Sequence, residues 1–296
     1  MNTARIVDRS YRAYEGRRGG VGASMSTVVK HSIQRSLGIK RTIWQKILPA
    51  ATIAISYIPA IVYIGLAALI PAENRPDGLL PSYAEYYGFI TTGLVIFTAF
   101  VAPEVLCTDR RTGMLGLYLA SPLDRNTYLV SKAAAVATVL TVVTTGPQVL
   151  MMVAYALIGE GPGGPLDYVT LVLRIAASGL VISALYTCLS MAVSSFTARR
   201  AAASATIILM LLTSQGFIHA LTDRGPGGAG WSPNLVVLNF IMLPVALVFH
   251  LFGESEKIET PYDEVSFTVL LLATLAWIVL FAAITRWRYQ KVTVTR

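Results

Sequence analysis

Seven stretches of this chain are nearly free of charge: residues 47–70, 86–102, 133–159, 175–197, 201–222, 231–253 and 265–285. Most of them approach or exceed the ~20 residues that a helix needs to cross a ~30 Å hydrocarbon layer. A chain made of such runs folds with lipid as its solvent. Composition agrees, since 54% of the residues are hydrophobic and 14% are charged, against about 25% charged in soluble domains. Soluble globular and disordered classes are both excluded. The first run starts after 46 mostly polar residues and is too long for a signal-peptide core, so it reads as an uncleaved anchor. Cys107 and Cys188 cannot form a disulfide framework; they are expected reduced, near the cytoplasmic side, as small apolar residues.

The net charge of +8 looks like a nucleic-acid signal until it is located. Residues 1–46 hold ten Lys/Arg against Asp8 and Glu15, so the whole excess lies ahead of the first run. Neither zinc-ligand spacing nor an aromatic-basic platform accompanies it, which argues against nucleic acid. A basic arm beside a membrane reads as a cytoplasmic flank facing anionic lipid.

With the arm inside, residues 71–85 are outside and acidic, 108–132 inside with Arg110, Arg111, Arg125 and Lys132, 159–167 outside with Glu160 and Asp167, and Arg199-Arg200 inside. A spanning sixth run would then put the acidic loop 254–264 inside and the basic tail from residue 286 outside, against the positive-inside rule. If 231–253 instead enters and leaves on one side, twenty Lys/Arg fall inside and three outside, with Arg174 left in a span. Pro233, Asn234, Asn239 and Pro244 break that run, which favours a re-entrant segment whose free backbone groups are buried in protein. The expected fold is therefore an all-α integral membrane protein with six transmembrane helices (47–285) and both termini cytoplasmic. A basic arm (1–24) and an interfacial helix (25–46) precede the spans, and a short tail (286–296) follows.

In the interfacial segment, Val29, Ile33, Leu37, Trp44 and Leu48 recur near helical spacing, with Lys30, Gln34, Arg35 and Arg41 elsewhere on the wheel. Gly38 makes this helix imperfect or divides it. The helix suits the inner leaflet, with Trp44 at headgroup level, or the surface of a soluble subunit. Residues 16–24 read as a flexible link.

Segment 108–132 carries the most information. Residues 112–120 are expected to form a short helix with Leu115, Tyr118 and Leu119 on one face. Ser121, Pro122 and Asp124 are good N-cap, N1 and N3 occupants for a second helix that runs into span three. A short, partly apolar helix held between two spans suits a groove on a soluble partner.

This segment resembles the signature of type-2 ABC exporter permeases, carried here by Asp109-Arg110-Arg111-x-Gly113, Leu115, Tyr118, Ser121-Pro122 and Ser131-Lys132. Asp109 stands where Glu is commoner. The six-span layout and the segments before spans one and six also resemble that family, over about residues 25–290. Tyr11-x-x-Tyr14-x-Gly16-x-Arg18 resembles the arm of some actinobacterial permeases. The resemblance implies a bacterial cytoplasmic-membrane permease that does no catalysis itself. It pairs with two copies of a separate ATP-binding-cassette subunit, holding ATP and Mg, and with a second copy of itself or a related permease. Asp109, Arg110, Arg111, Gly113, Leu115, Tyr118, Leu119 and Pro122 would then couple it to the ATPase.

Other chemistry is sparse. The chain has no Gly-x-x-x-x-Gly-Lys-Ser/Thr loop to cradle ATP phosphates and no His/Cys spacing for a metal. An intramembrane serine protease is rejected: Ser178 lies in span four, but span six has no His, and His219 and His250 sit near the outer side. Glu104 is expected either to pair with Arg110 or Arg111 or to serve coupling or gating. Arg174 is an intramembrane charge and hence a functional candidate, or it snorkels toward Asp167 or Glu160. A membrane scaffold or sensory module is the alternative function. An ion-coupled carrier fits less well, for want of buried carboxylates.

Overall fold

The computed structural model describes residues 19–39, 42–76, 78–222 and 233–291. The basic arm up to residue 18 and most of the link before α9 lie outside these residues. The described chain is helical, without strands: α1 (Val21–Ser36), α2 (Ile43–Leu69), α3 (Tyr83–Ile96), α4 (Pro103–Arg111), α5 (Leu115–Leu119), α6 (Arg125–Leu157), α7 (Pro165–Ser194), α8 (Arg200–Thr222), α9 (Met242–Phe252) and α10 (Phe267–Gln290). Among the described residues six helices are long and apolar enough to cross a membrane: α2, the continuous stretch Tyr83–Arg111 made of α3, a π-helical turn and α4, then α6, α7, α8 and α10. Their ends segregate charge. One end carries Arg35, Arg110, Arg111, Arg125, Lys132, Arg200 and Arg286; the other carries Glu73, Glu85, Glu160, Asp167 and the acidic loop after α9. These are called the basic and acidic ends below.

The spans pack through small and hydroxyl residues, as helices in lipid do. A Cβ on Gly93 of α3 would lie 2.6 Å from Ser56 Oγ of α2, and one on Gly179 of α7 would lie 2.2 Å from a methyl of Thr145 on α6. Either glycine is thus a point of backbone approach. Tyr57 of α2 adds a hydrogen bond to the Val142 carbonyl of α6 at 3.0 Å. Stretch Tyr83–Arg111 is the most enclosed, with 61% of its apolar window buried; α10, α2 and α8 are peripheral at 17%, 22% and 28%.

At three places the helix boundaries sharpen the expected layout. Gly38 divides the segment 25–46, the second of the two expected readings: α1 ends at Ser36, Gly38 turns the chain at φ 68°, and Trp44 belongs to the first turn of α2. A Cβ at Gly38 would lie 2.8 Å from the Gln45 carbonyl oxygen, so the turn requires glycine. Second, α6 starts at Arg125, not after Ser121. Asp124 Oδ1 accepts from the Thr127 N–H at 2.8 Å and Thr127 Oγ1 accepts from the Asp124 N–H at 2.9 Å. This reciprocal box satisfies two end donors, more than Ser121 offers. Ser121 Oγ instead donates to the Tyr118 carbonyl at 2.6 Å, and Pro122 stays in the turn. Third, the tail from residue 286 is helical as far as Gln290.

The broken run before the last span holds a short 3-10 helix, Pro233–Leu238, and then α9. Eleven residues rise only about 16 Å, roughly half a hydrocarbon layer. Side chains on all faces of α9 are buried, including Leu243, Val245, Leu247 and Phe249. The irregular backbone before it is satisfied group by group. Trp277 Nε1 donates to the Val237 carbonyl at 3.0 Å and Tyr186 donates to the Phe240 carbonyl at 3.3 Å. Asn239 Oδ1 accepts from the N–H groups of Ile241 and Met242, each at 3.1 Å. Non-helical backbone among apolar helices is tolerated only when so satisfied.

Candidate functional site

The polar centre of the basic end is Asp109, on the last turn of α4, with no solvent exposure. Its Oδ1 accepts from Arg35 of α1 at 2.6 Å. Its Oδ2 lies 2.6 Å from Lys132 Nζ of α6 and accepts from Tyr128 Oη at 2.9 Å. Lys132 is itself 1% exposed and donates to Ser32 Oγ of α1 at 3.0 Å. Its ammonium also lies 5.1 Å from the Tyr118 ring centre of α5 and 5.5 Å from that of Tyr128, within cation–π range. One carboxylate therefore ties α1, α4 and α6 together, and its lysine touches α5. Ser32 and Ser36 are small enough for α1 to seat closely here, with Val28 on the same face.

Next along the chain, α4 ends because Gly113 takes φ 69°, the left-handed region that glycine adopts without penalty. The Met114 N–H then bonds the Asp109 carbonyl at 3.1 Å, and α5 follows. The face expected to project from α5 points inward instead. Leu115 is buried, and with Tyr118 and Leu119 it packs against Leu106, Tyr128, Leu129, Met191 and Tyr289. Burial pushes the Tyr118 phenol up. The residues that project are Leu117, 67% exposed, and Met114, 38% exposed. Beside Leu117 lies a groove of about 470 Å³ between α5 and α1, lined by Thr27, Val28, Tyr118 and Leu123. The inward turn follows from chain direction: α5 must cover the Tyr128 ring and Lys132, which water would otherwise reach.

Arg110 donates to the Ser195 carbonyl and, at 3.4 Å, to that of Thr197, holding the turn between α7 and α8. Arg111 is exposed, at the wall of a polar cavity of about 340 Å³ shared with Gln45, Glu104, Thr108 and Arg200. Glu104 pairs with Arg200 of α8 at 2.8 Å, not with Arg110 or Arg111. Those two arginines lie more than a turn further on, while the start of α8 runs beside the π-helical turn Phe97–Val101. Arg200 also donates twice to the Phe100 carbonyl, at 2.8 and 3.1 Å.

Arg174 reaches toward the acidic end, but its bonded partner is neither Asp167 nor Glu160. It donates to the Phe252 carbonyl, the last of α9, at 3.0 Å, where the helix dipole presents negative charge. Glu160 is engaged by Arg75 through two 2.7 Å bonds. Arg35, Tyr128 and Ser32 were missed as site residues by sequence reasoning. The available signal was Lys132, a cation two turns into α6 and bordered by apolar sequence, which calls for a buried carboxylate.

Comparison with curated protein sequences finds no match. The family described as ABC-2 family transporter protein matches residues 18–294, from the start of the described chain through the last span. Six apolar spans and a match over nearly the whole length agree: the chain belongs to the ABC-2 family of transporter membrane proteins, as a type-2 ABC permease.

Proposed function

We propose that this protein is the membrane-spanning permease subunit of an ABC exporter in a bacterial cytoplasmic membrane, driven by ATP hydrolysed on a separate subunit. The basic end faces the cytoplasm, as the positive-inside rule requires, and the arm ahead of α1 lies there too. Two ATP-binding subunits, carrying ATP and Mg, dock against the basic ends of two permease copies. Residues 231–253 form a re-entrant segment, for which the short α9 and its satisfied backbone are the support.

The observation that carries this reading is the placement of α5. It stands at the basic end between α4 and α6, with Leu117 and Met114 projecting and a groove beside them. Its underside rests on the Lys132–Asp109 pair, through the ring of Tyr118. At about 1.5 Å per residue, the 33-residue α6 is about 50 Å long and overreaches the hydrocarbon, so its first turns with α5 stand clear for a partner. A push on α5 passes to Asp109 and from there to α1, α4 and α6 as one body. Closure of the ATPase pair would then favour one of two helix arrangements, which is all that a permease without covalent chemistry contributes.

The test is purification from native membranes. An ATPase subunit that co-elutes, and whose activity changes with the permease present, is expected. A permease that elutes alone with no associated ATPase would favour the scaffold or sensory reading.

A further inference from the structure

Both α6 and α10 pack along α7, but near the basic end they stand apart and leave a groove of about 380 Å³ over α7. Its walls are apolar, formed by Leu129 and Ala133 of α6, Met191 of α7 and Ala282 of α10. Val130, also on the wall, is 56% exposed, so the groove opens sideways, where the spans meet lipid. Its basic-end rim is different. Asn126 and Arg286 stand there, both exposed, and Arg286 makes no ion pair among the described residues. Beyond the rim, Arg125 reaches from α6 to the carbonyls of Tyr289 and Gln290 on α10 and ties the two helices together. Next to Arg286, Trp287 is 51% exposed with Lys291 Nζ 4.1 Å from its ring centre. A tryptophan beside cations marks headgroup depth.

An apolar slot open to the bilayer, with a guanidinium at headgroup level that has no ion-pair partner among the described residues, has the shape and charge of one ligand class. We propose that this groove binds an anionic phospholipid of the leaflet at the basic end, one acyl chain lying along Met191 and Ala133 and the phosphate on Arg286 and Asn126. Arg286, with Lys291 over the neighbouring Trp287, adds positive potential at this end of α10, which attracts an acidic headgroup and disfavours a choline cation. This inference rests on the helices spanning a membrane, not on the ATPase reading, and it survives or fails separately.

The test uses the full chain in detergent, titrated with phosphatidylglycerol or with phosphatidylcholine of the same acyl chains and read by native mass spectrometry. Wild type is expected to retain phosphatidylglycerol about fivefold better, the discrimination that one cation near the surface supplies. Arg286→Gln should bring the two lipids within about twofold. Ala133→Phe, which fills the slot, should lower retention of both. Equal retention of the two lipids by wild type overturns the proposal, as does undiminished preference for phosphatidylglycerol in Arg286→Gln. If Ala133→Phe fails to fold, the headgroup comparison in Arg286→Gln decides alone.

Discussion

A buried carboxylate matters most to the partner that is buried with it, because losing it strands that partner's charge. Asp109 and Lys132 are almost wholly enclosed and Arg35 is 17% exposed, so truncating Asp109 leaves a buried ammonium with no counter-charge. Asp109→Ala should cost about 3–5 kcal/mol, the range for breaking a buried pair. Asp109→Asn with Lys132→Met should recover much of that loss, since removing both partners removes the stranded charge. Thermal unfolding in detergent, with monodispersity, checks the comparison. A pair at the acidic end behaves differently because water reaches it. The hydrogen bonds from Arg75 hold the Glu160 carboxyl below its ordinary value of 4.5. A carboxyl lowered in the folded state contributes stability that is fully present above pH 4.5 and is lost as pH falls through the lowered value. Glu160→Gln should therefore leave the acid limb of thermal stability shallower below pH 4.5 than in wild type. A limb unchanged by the substitution would mean that this bridge links α2 to α6 only weakly.

At the scale of elements, the two sides of α5 call for opposite outcomes. Leu115→Asp puts a charge into the cluster with Tyr128 and Met191 and should destabilise the fold, because the carboxylate must be desolvated. Leu117→Asp leaves that cluster untouched and places the charge where a partner would dock. It should abolish co-purification of the ATPase subunit while the permease stays monodisperse. Equal behaviour of the two variants would refute the assigned faces. The pattern of what was legible follows from the same physics. Spans were readable because each must present about twenty apolar residues to lipid on its own, and the run 231–253 stood apart through its two prolines and two asparagines. Side-chain partners were not readable. Arg200 reaches Glu104 across 96 positions of sequence, and Arg174 reaches a backbone carbonyl, which no charge pattern announces. The inward turn of Leu115 was hidden for a related reason: five residues cannot show which side of a helix faces a neighbour that is not yet placed. Asp109 was legible as part of a motif, but not its position as the hub of four helices.

For the whole molecule, the question with most consequence is where the chain crosses. Separation of charge between the ends requires an even number of crossings, because residues on α1 and residues at the end of α10 share the basic end. α9 supplies the exception that makes the count even. Its C-terminal end is held at the acidic end by Arg174, and Gly253, at φ 76°, turns the chain there. Its N-terminal end lies deep among the spans, where Tyr186, Ser214 and Trp277 bond the backbone around it. A segment so placed fits the proposed re-entrant path, entering from the acidic side and returning to it, since eleven residues are too short to cross the layer by themselves. Single cysteines at Ser232 and Ser255, in a chain lacking Cys107 and Cys188, should both react with an impermeant thiol reagent applied outside intact cells. A cysteine at Lys30 on α1 should react only after the membrane is opened. If Ser255→Cys also needs the membrane opened, residues 231–253 cross, the count becomes seven, and the acidic loop after α9 cannot share a side with Glu85. That outcome would contradict the contact of Lys257 with Glu85 at 3.6 Å, which binds the two loops at the same end.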